Sequence, residues 1–217
     1  MIRILLILLI LLLPLPLFAE PSKWEKDIAK FEAADKKAAP PKKAYLFIGS
    51  SSVKLWDLKN SFPDLVTINR GFGGSELEDS LHFADRIVLP YQPKAIFLYA
   101  GDNDIGKGKT AEIVVNDFQK FVKKVHATFP KTDIIFLPIK PSIKRWKLWP
   151  EMNKANLAIQ KLSQQSKRLN YLDTPAAMLK TGQPPAADLF EKDGLHLTPK
   201  GYSLWNELVR EWLKGSQ

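Results

Sequence analysis

The 217-residue chain has no cysteine and three histidines, His82, His126 and His196. Without cysteine there is no disulfide scaffold, no thiol nucleophile, and no zinc or iron–sulfur site built on thiolates. Three scattered histidines argue against a multi-histidine metal centre, and no metal is expected. The strings G-x-x-x-x-G-K-[ST] and G-x-G-x-x-G are both missing, which argues against a nucleotide cradle. G-x-S-x-G is missing too, which sets aside the nucleophile elbow of α/β-hydrolases. Acidic charge is the scarcer sign: 23 Asp and Glu against 32 Lys and Arg give a net +9. That balance favours anionic partners or surfaces without naming one.

What is present is a composition of 45% hydrophobic and 25% charged residues, near the soluble average. The N-terminus departs from it. Met1-Ile2-Arg3 is basic, residues 4–13 are all Ile or Leu, Pro14 and Pro16 interrupt, and Phe18-Ala19-Glu20 returns to polar sequence. The layout is that of a secretory signal peptide over residues 1–19, although Leu17 stands where a small residue is preferred. A spanning helix needs about 20 apolar residues, more than this interrupted stretch supplies. Retained, the segment would be a membrane anchor. The expected location is periplasmic or secreted, with membrane contact through an uncleaved N-terminus only. Export sets nucleic acid aside as a partner and turns the positive charge towards envelope polymers or lipid headgroups.

Residues 20–43 read as an amphipathic helix and a stiff Pro/Lys linker. Ser22 with Glu25 matches a capping box, and Trp24, Ile28 and Phe31 at i, i+4 and i+7 share a face. The helix is expected to pack on the flank of the main domain, residues 44–217, since its polar face mixes Lys, Glu and Asp. From residue 44 onward, short apolar runs at 45–48, 65–68, 95–99 and 134–137, with a weaker one at 169–172, read as strands. Helical patterns lie between or after them, best seen at 113–129, 153–168 and 199–213. The third and fourth runs are apolar without alternation, as in strands covered on both faces. This order predicts an α/β class, a three-layer α/β/α sandwich around a parallel sheet of about five strands.

In such a sheet the loops leaving the strand carboxyl ends share one edge, where ligands bind. Here they carry Gly49-Ser50-Ser51-Ser52, then Asn69-Arg70-Gly71-Phe72-Gly73-Gly74-Ser75, then Gly101-Asp102-Asn103-Asp104. Asp193-Gly194-Leu195-His196 precedes the last helix. Together they supply a serine nucleophile, backbone and side-chain donors, a base and a carboxylate, which is the set acyl transfer requires. Each string alone is ordinary turn vocabulary. Asp102 and Asp104 read as helix caps, and Asp193 with Asp188 and Glu191 lacks the ligand spacing of a calcium loop. His82 and His126, in helical stretches, read as structural or exposed. Trp205 and Trp212, at i and i+7 of the final helix, read as core.

From about Tyr45 to Trp212 the chain resembles the SGNH (GDSL-type) hydrolase superfamily, bacterial esterases and lipases among them, whose sheet is flavodoxin-like. Four blocks occur in order: Phe47-Ile48-Gly49-Ser50-Ser51, Asn69-x-Gly71-x-Gly73-Gly74, Gly101-Asp102-Asn103-Asp104 and Asp193-x-x-His196. One position departs, since Ser50 stands where the family has Asp, and it leaves Ser50 and Ser52 as rivals to Ser51. The resemblance implies Ser51 as nucleophile, His196 as base and Asp193 as its orienting partner. It likewise implies an oxyanion hole from the backbone of Ser51 and Gly74 and the amide of Asn103.

The activity implied is hydrolysis of small, acetyl-type esters without a cofactor, with an O-acylated carbohydrate or a lipid as the alcohol. The general plan is similar to platelet-activating-factor acetylhydrolase catalytic subunits. A lysophospholipase or thioesterase is the alternative within enzymes. A non-catalytic envelope glycan-binding module is the alternative outside them, opposed by the intact Ser51, Asn103, Asp193 and His196. Residues 140–149 carry four basic residues and two tryptophans on the same edge. They read equally as a substrate wall, with Trp146 and Trp149 facing a sugar ring or acyl chain, and as a surface loop whose tryptophans pack inward.

Overall fold

The computed structural model describes residues 22–215, and the expected leader or anchor at residues 1–19 lies outside them. Strands β1 (Tyr45–Gly49), β2 (Thr67–Gly71), β3 (Ala95–Tyr99), β4 (Asp133–Phe136) and β5 (Leu169–Tyr171) form one sheet in the order β2-β1-β3-β4-β5. Every pairing is parallel. The connections from β1 to β2 and from β2 to β3 run in opposite directions across the sheet. The carboxyl ends of β1 and β3 therefore form the crevice where an open α/β sheet binds ligands.

The helices, in chain order, are α1 (Glu25–Lys37), α2 (Ser51–Lys54), α3 (Leu58–Ser61), α4 (Leu77–His82), α5 (Ala84–Ile87), α6 (Asp102–Gly106), α7 (Ala111–Thr128), α8 (Trp149–Gln164), α9 (Thr174–Leu179) and α10 (Pro199–Gly215). Every position of β1 and β3 is buried, so their side chains alternate between two cores rather than between core and water. Leu46, Ile48, Ile96 and Leu98 face a core closed by α1, α4, α5, α7 and α8. Tyr45, Phe47, Phe97 and Tyr99 face a second core closed by α2, α3, α9 and α10, with Trp205 fully buried at its centre. Trp212 packs edge-on against Phe97 at the same face. The expected three-layer sandwich is the observed one.

Helix α1 seats Ile28 fully buried, with Trp24 and Phe31 packed against the same core. Its polar face is tied down by charge: Arg86 bridges Glu25 and Glu32, each at 2.7 Å, and Arg70 pairs with Asp35. The expected capping box is absent. The N-cap is Trp24, with no side-chain cap bond, because Ser22 is drawn into a preceding turn where its hydroxyl accepts from the Trp24 N–H at 3.4 Å. Strand β2 starts two residues later than the apolar run at 65–68 and takes in Asn69, Arg70 and Gly71. Its ladder with β1 pairs Phe47 with Asn69 and Gly49 with Gly71. Helix α8 starts at Trp149, ahead of the pattern at 153–168, because Pro150 in the first turn has no N–H that the helix needs.

Candidate active site

Strand β1 ends on Gly49 at φ +138°, where a Cβ would lie 1.8 Å from the Tyr99 carbonyl oxygen of β3. Only glycine allows the two strands to end this close together. The next residue, Ser50, is extended, and Ser51 opens α2. Ser51 Oγ lies 2.9 Å from His196 Nε2. His196 Nδ1 lies 2.5 Å from Asp193 Oδ2, while Asp193 Oδ1 accepts from the backbone N–H of Leu195 at 2.9 Å and of His196 at 3.0 Å. The Asp-x-x-His string is thus a turn closed on itself, with Gly194 at φ +66° supplying its left-handed residue. Burial disfavours the Asp193 charge, but those backbone N–H groups and the imidazole outweigh it and hold the carboxyl at about 2. A carboxylate on Nδ1 selects the tautomer protonated there and leaves Nε2 to accept the Ser51 hydroxyl proton.

The other strand-end loops meet the same point. A Cβ on Gly73 would lie 4.0 Å from Ser51 Cβ, so the Gly-rich loop passes directly over the serine. Gly74 sits at φ +74°, with the Trp24 ring 3.1 Å from where its Cβ would be. Asn103 Nδ2 donates to the Ser75 carbonyl at 2.9 Å, which leaves its second N–H for a ligand. Asn69, by contrast, is occupied locally: its Nδ2 donates to the Val53 carbonyl at 2.7 Å and its Oδ1 accepts from the Gly71 N–H at 2.9 Å. Of the rival serines, Ser52 points into the interior towards Lys140, and Ser50 is fully buried without a hydrogen bond on its hydroxyl.

One expectation for this edge needs correction, that of Asp102. Asp104 caps α4, accepting from the Leu77 N–H at 3.0 Å, and burial raises its carboxyl to about 6. Asp102 is not a cap at all. It pairs with Lys140 at 3.2 Å and Arg145 at 3.1 Å, both brought to it by the chain that follows β4. Trp146 and Trp149 stack on each other, 6.3 Å apart and 7° from parallel, and Trp149 packs onto the core. They are not part of the cavity that reaches the site, which measures about 610 Å³ and is lined by His196 with Leu55, Trp56, Asn60, Tyr202 and Arg210. His82 stands edge-on to Phe83, and His126 contacts the Thr132 carbonyl, both apart from the site. Among the described residues no group of three His, Asp or Glu is arranged to hold a metal ion.

The model of the GDSL-like lipase/acylhydrolase family matches residues 55–204. The chain belongs to that family. Membership assigns it to the esterase and acylhydrolase type of hydrolase and agrees with the SGNH resemblance of the motif blocks. The matched span begins four residues beyond Ser51, so it covers Gly74, Asn103, Asp193 and His196 but not the serine turn. No curated protein matches the chain.

Solved structures share the fold of this GDSL-like family member. A provisionally assigned platelet-activating factor from Streptococcus pneumoniae is 24% identical, with a TM-score of 0.77 over 87% of this chain and 92% of that one. A GDSL-like lipase from Bacteroides thetaiotaomicron is 16% identical, with a TM-score of 0.75 over 88% and 98%. A catalytic mutant of an acetylxylan esterase from Geobacillus stearothermophilus is 12% identical, with a TM-score of 0.62 over 78% and 93%.

The motif blocks pass over the groups that surround them in this GDSL-like acylhydrolase. Trp56 lines the cavity and donates Nε1–H to Asn206 at 2.9 Å. Lys140 is 1% exposed, and Asp102 is 3% exposed beside it. One clue was available. Lys140 stands between Ile139 and Pro141, four residues beyond the apolar strand β4, an expensive place for an ammonium unless an anion meets it.

Proposed function

We propose that the protein is a serine carboxylic ester hydrolase that works through an acyl-enzyme and needs no cofactor. The observation that carries this reading is the hydrogen-bonded series from Ser51 Oγ through His196 to Asp193, at 2.9 and 2.5 Å. Ser51 Oγ attacks the ester carbonyl as its proton passes to His196 Nε2. Asp193, ionised above about pH 2, stabilises the imidazolium that results. The oxyanion is received by the N–H groups of Ser51 and Gly74 and by the free Nδ2–H of Asn103. His196 then protonates the departing alkoxide, and water attacks the acyl-enzyme with His196 again as base.

The leaving alcohol must lie beside the imidazole that protonates it, and the cavity of about 610 Å³ opens on that side. Its walls combine the rings of Trp56 and Tyr202 with the polar groups of Asn60 and Arg210. This suits a small acyl group on a bulky, hydroxyl-bearing alcohol such as an acetylated carbohydrate, and the fold is shared with an acetylxylan esterase. A second reading, a lysophospholipase or thioesterase, draws on Leu55, half exposed at the cavity mouth, and Leu197 within it. Rates on p-nitrophenyl acetate and octanoate, and acetate release from acetylated xylo-oligosaccharides, test the choice. Fast acetyl and slow octanoyl turnover is expected, and the reverse order would transfer the assignment to the second reading. Action outside the cytoplasm belongs to the same proposal and rests on the sequence of residues 1–19.

A further inference from the structure

The three proposed oxyanion donors leave three different strands, and one buried ion cluster joins their neighbours. Lys140 Nζ donates to Ser52 Oγ at 3.0 Å and Tyr99 Oη at 2.9 Å, and meets Asp102 Oδ2 at 3.2 Å. Three acceptors satisfy all three ammonium protons. Asp102 Oδ2 also holds Arg145 Nη1 at 3.1 Å, and Arg145 Nη2 donates to Asn103 Oδ1 at 2.9 Å. The other end of that amide donates to the Ser75 carbonyl at 2.9 Å. Ser52 follows Ser51 and Ser75 follows Gly74, so the series runs from beside the nucleophile, through Asn103, to beside the glycine donor.

A primary amide keeps nearly the same shape when its oxygen and nitrogen exchange places, so its neighbours decide which atom faces where. Arg145 can only donate and the Ser75 carbonyl can only accept. Between them they permit one orientation. The opposite one would turn Oδ1 towards the carbonyl and offer a lone pair to a developing negative charge. The seat for the guanidinium is also cut to fit. A Cβ on Gly106 would lie 3.0 Å from Arg145 Cζ, so the missing side chain on α6 makes room for it. Burying the Lys140 ammonium and much of the Arg145 guanidinium against one carboxylate opposes folding unless the geometry is favourable. This cluster is therefore a poor choice for packing alone.

We propose that Arg145, anchored by Asp102 and Lys140, is a positioning residue that locks the Asn103 amide with Nδ2–H, not Oδ1, available to the oxyanion. The inference rests on the oxyanion role given to Asn103 above. The test uses p-nitrophenyl acetate, which offers Arg145 no anionic group to bind. Asn103→Ala is expected to lower kcat about 10²–10³-fold. Arg145→Met should lower kcat by at least about 10-fold and no further than Asn103→Ala does, with KM unchanged. The double variant should be no slower than Asn103→Ala alone. Arg145→Lys, which keeps a donor and a charge, should recover part of the rate.

Multiplying losses in the double variant, a change confined to KM, or an unaltered Arg145→Met enzyme would each overturn the inference while leaving the ester hydrolase reading intact. An unaltered Asn103→Ala enzyme would overturn both the oxyanion assignment and the inference. Should Arg145→Met fail to fold, Gly106→Ala puts a methyl into the guanidinium seat and keeps every functional group. It shifts the guanidinium by a few tenths of an ångström and should lower kcat in the same direction with KM unchanged, again not multiplying with Asn103→Ala; an unaltered kcat would overturn the inference.

Discussion

Asp193 joins three bonds at one carboxylate, fixing the main chain of its turn with Oδ1 and the imidazole with Oδ2. Its carboxyl is lowered from 3.8 to about 2, so the folded state binds its proton less readily than the unfolded chain. The stability this contributes is complete above about pH 4 and is lost as pH falls through about 2. Urea unfolding of wild type and Asp193→Asn should therefore differ at pH 5 and converge towards pH 2; a constant gap would contradict the assignment. At the neighbouring residue, His196→Ala should lower kcat on p-nitrophenyl acetate by about 10⁴-fold or more. Both residues were legible in the sequence through the family resemblance of the Asp-x-x-His block, and the structure shows the four-residue turn that brings carboxylate and imidazole together. Arg145 was not, since its meaning depends on Asn103, 42 positions away, and no local pattern records such a pairing.

Among the elements, β1 and the turn after it set the position of Ser51, and Gly49 sets the turn. Gly49→Ala would drive a methyl into the Tyr99 carbonyl at 1.8 Å in a backbone region that suits glycine alone. It should leave no cooperative unfolding transition under conditions where the wild type is folded. Gly108, also at positive φ (+94°) but with open space around it, is the control. Gly108→Ala should cost about 1–2 kcal/mol and keep the transition; equal losses at both sites would show that contact with β3 is not what matters. Strand β3 was legible to the residue, because an unbroken apolar run bounded by Lys94 and Gly101 can hardly be paired otherwise. Strand β2 was not, because Asn69, Arg70 and Gly71 are turn-forming types that its ladder with β1 overrides. The helices α2 to α6, four to six residues each, are too short to display a period.

Over the whole molecule, two cores on opposite faces of one sheet hold the strand ends in register, and α1 belongs to one of them through Ile28. Ile28→Ala should lower stability by about 2–5 kcal/mol, and urea unfolding followed by tryptophan fluorescence and by circular dichroism should still coincide. A separate early transition would mean that α1 docks as an independent appendage. The sheet has one purpose at this scale, which is to bring Ser51, Gly74, Asn103 and the turn of Asp193 and His196 to a single edge. The claim that this edge is a serine hydrolase site is tested most directly by reacting the protein with a fluorophosphonate and locating the adduct by peptide mass spectrometry. The account predicts one adduct, on Ser51, absent from Ser51→Ala and strongly slowed in His196→Ala. An adduct on Ser50 or Ser52, or none on the folded wild-type protein, would contradict it.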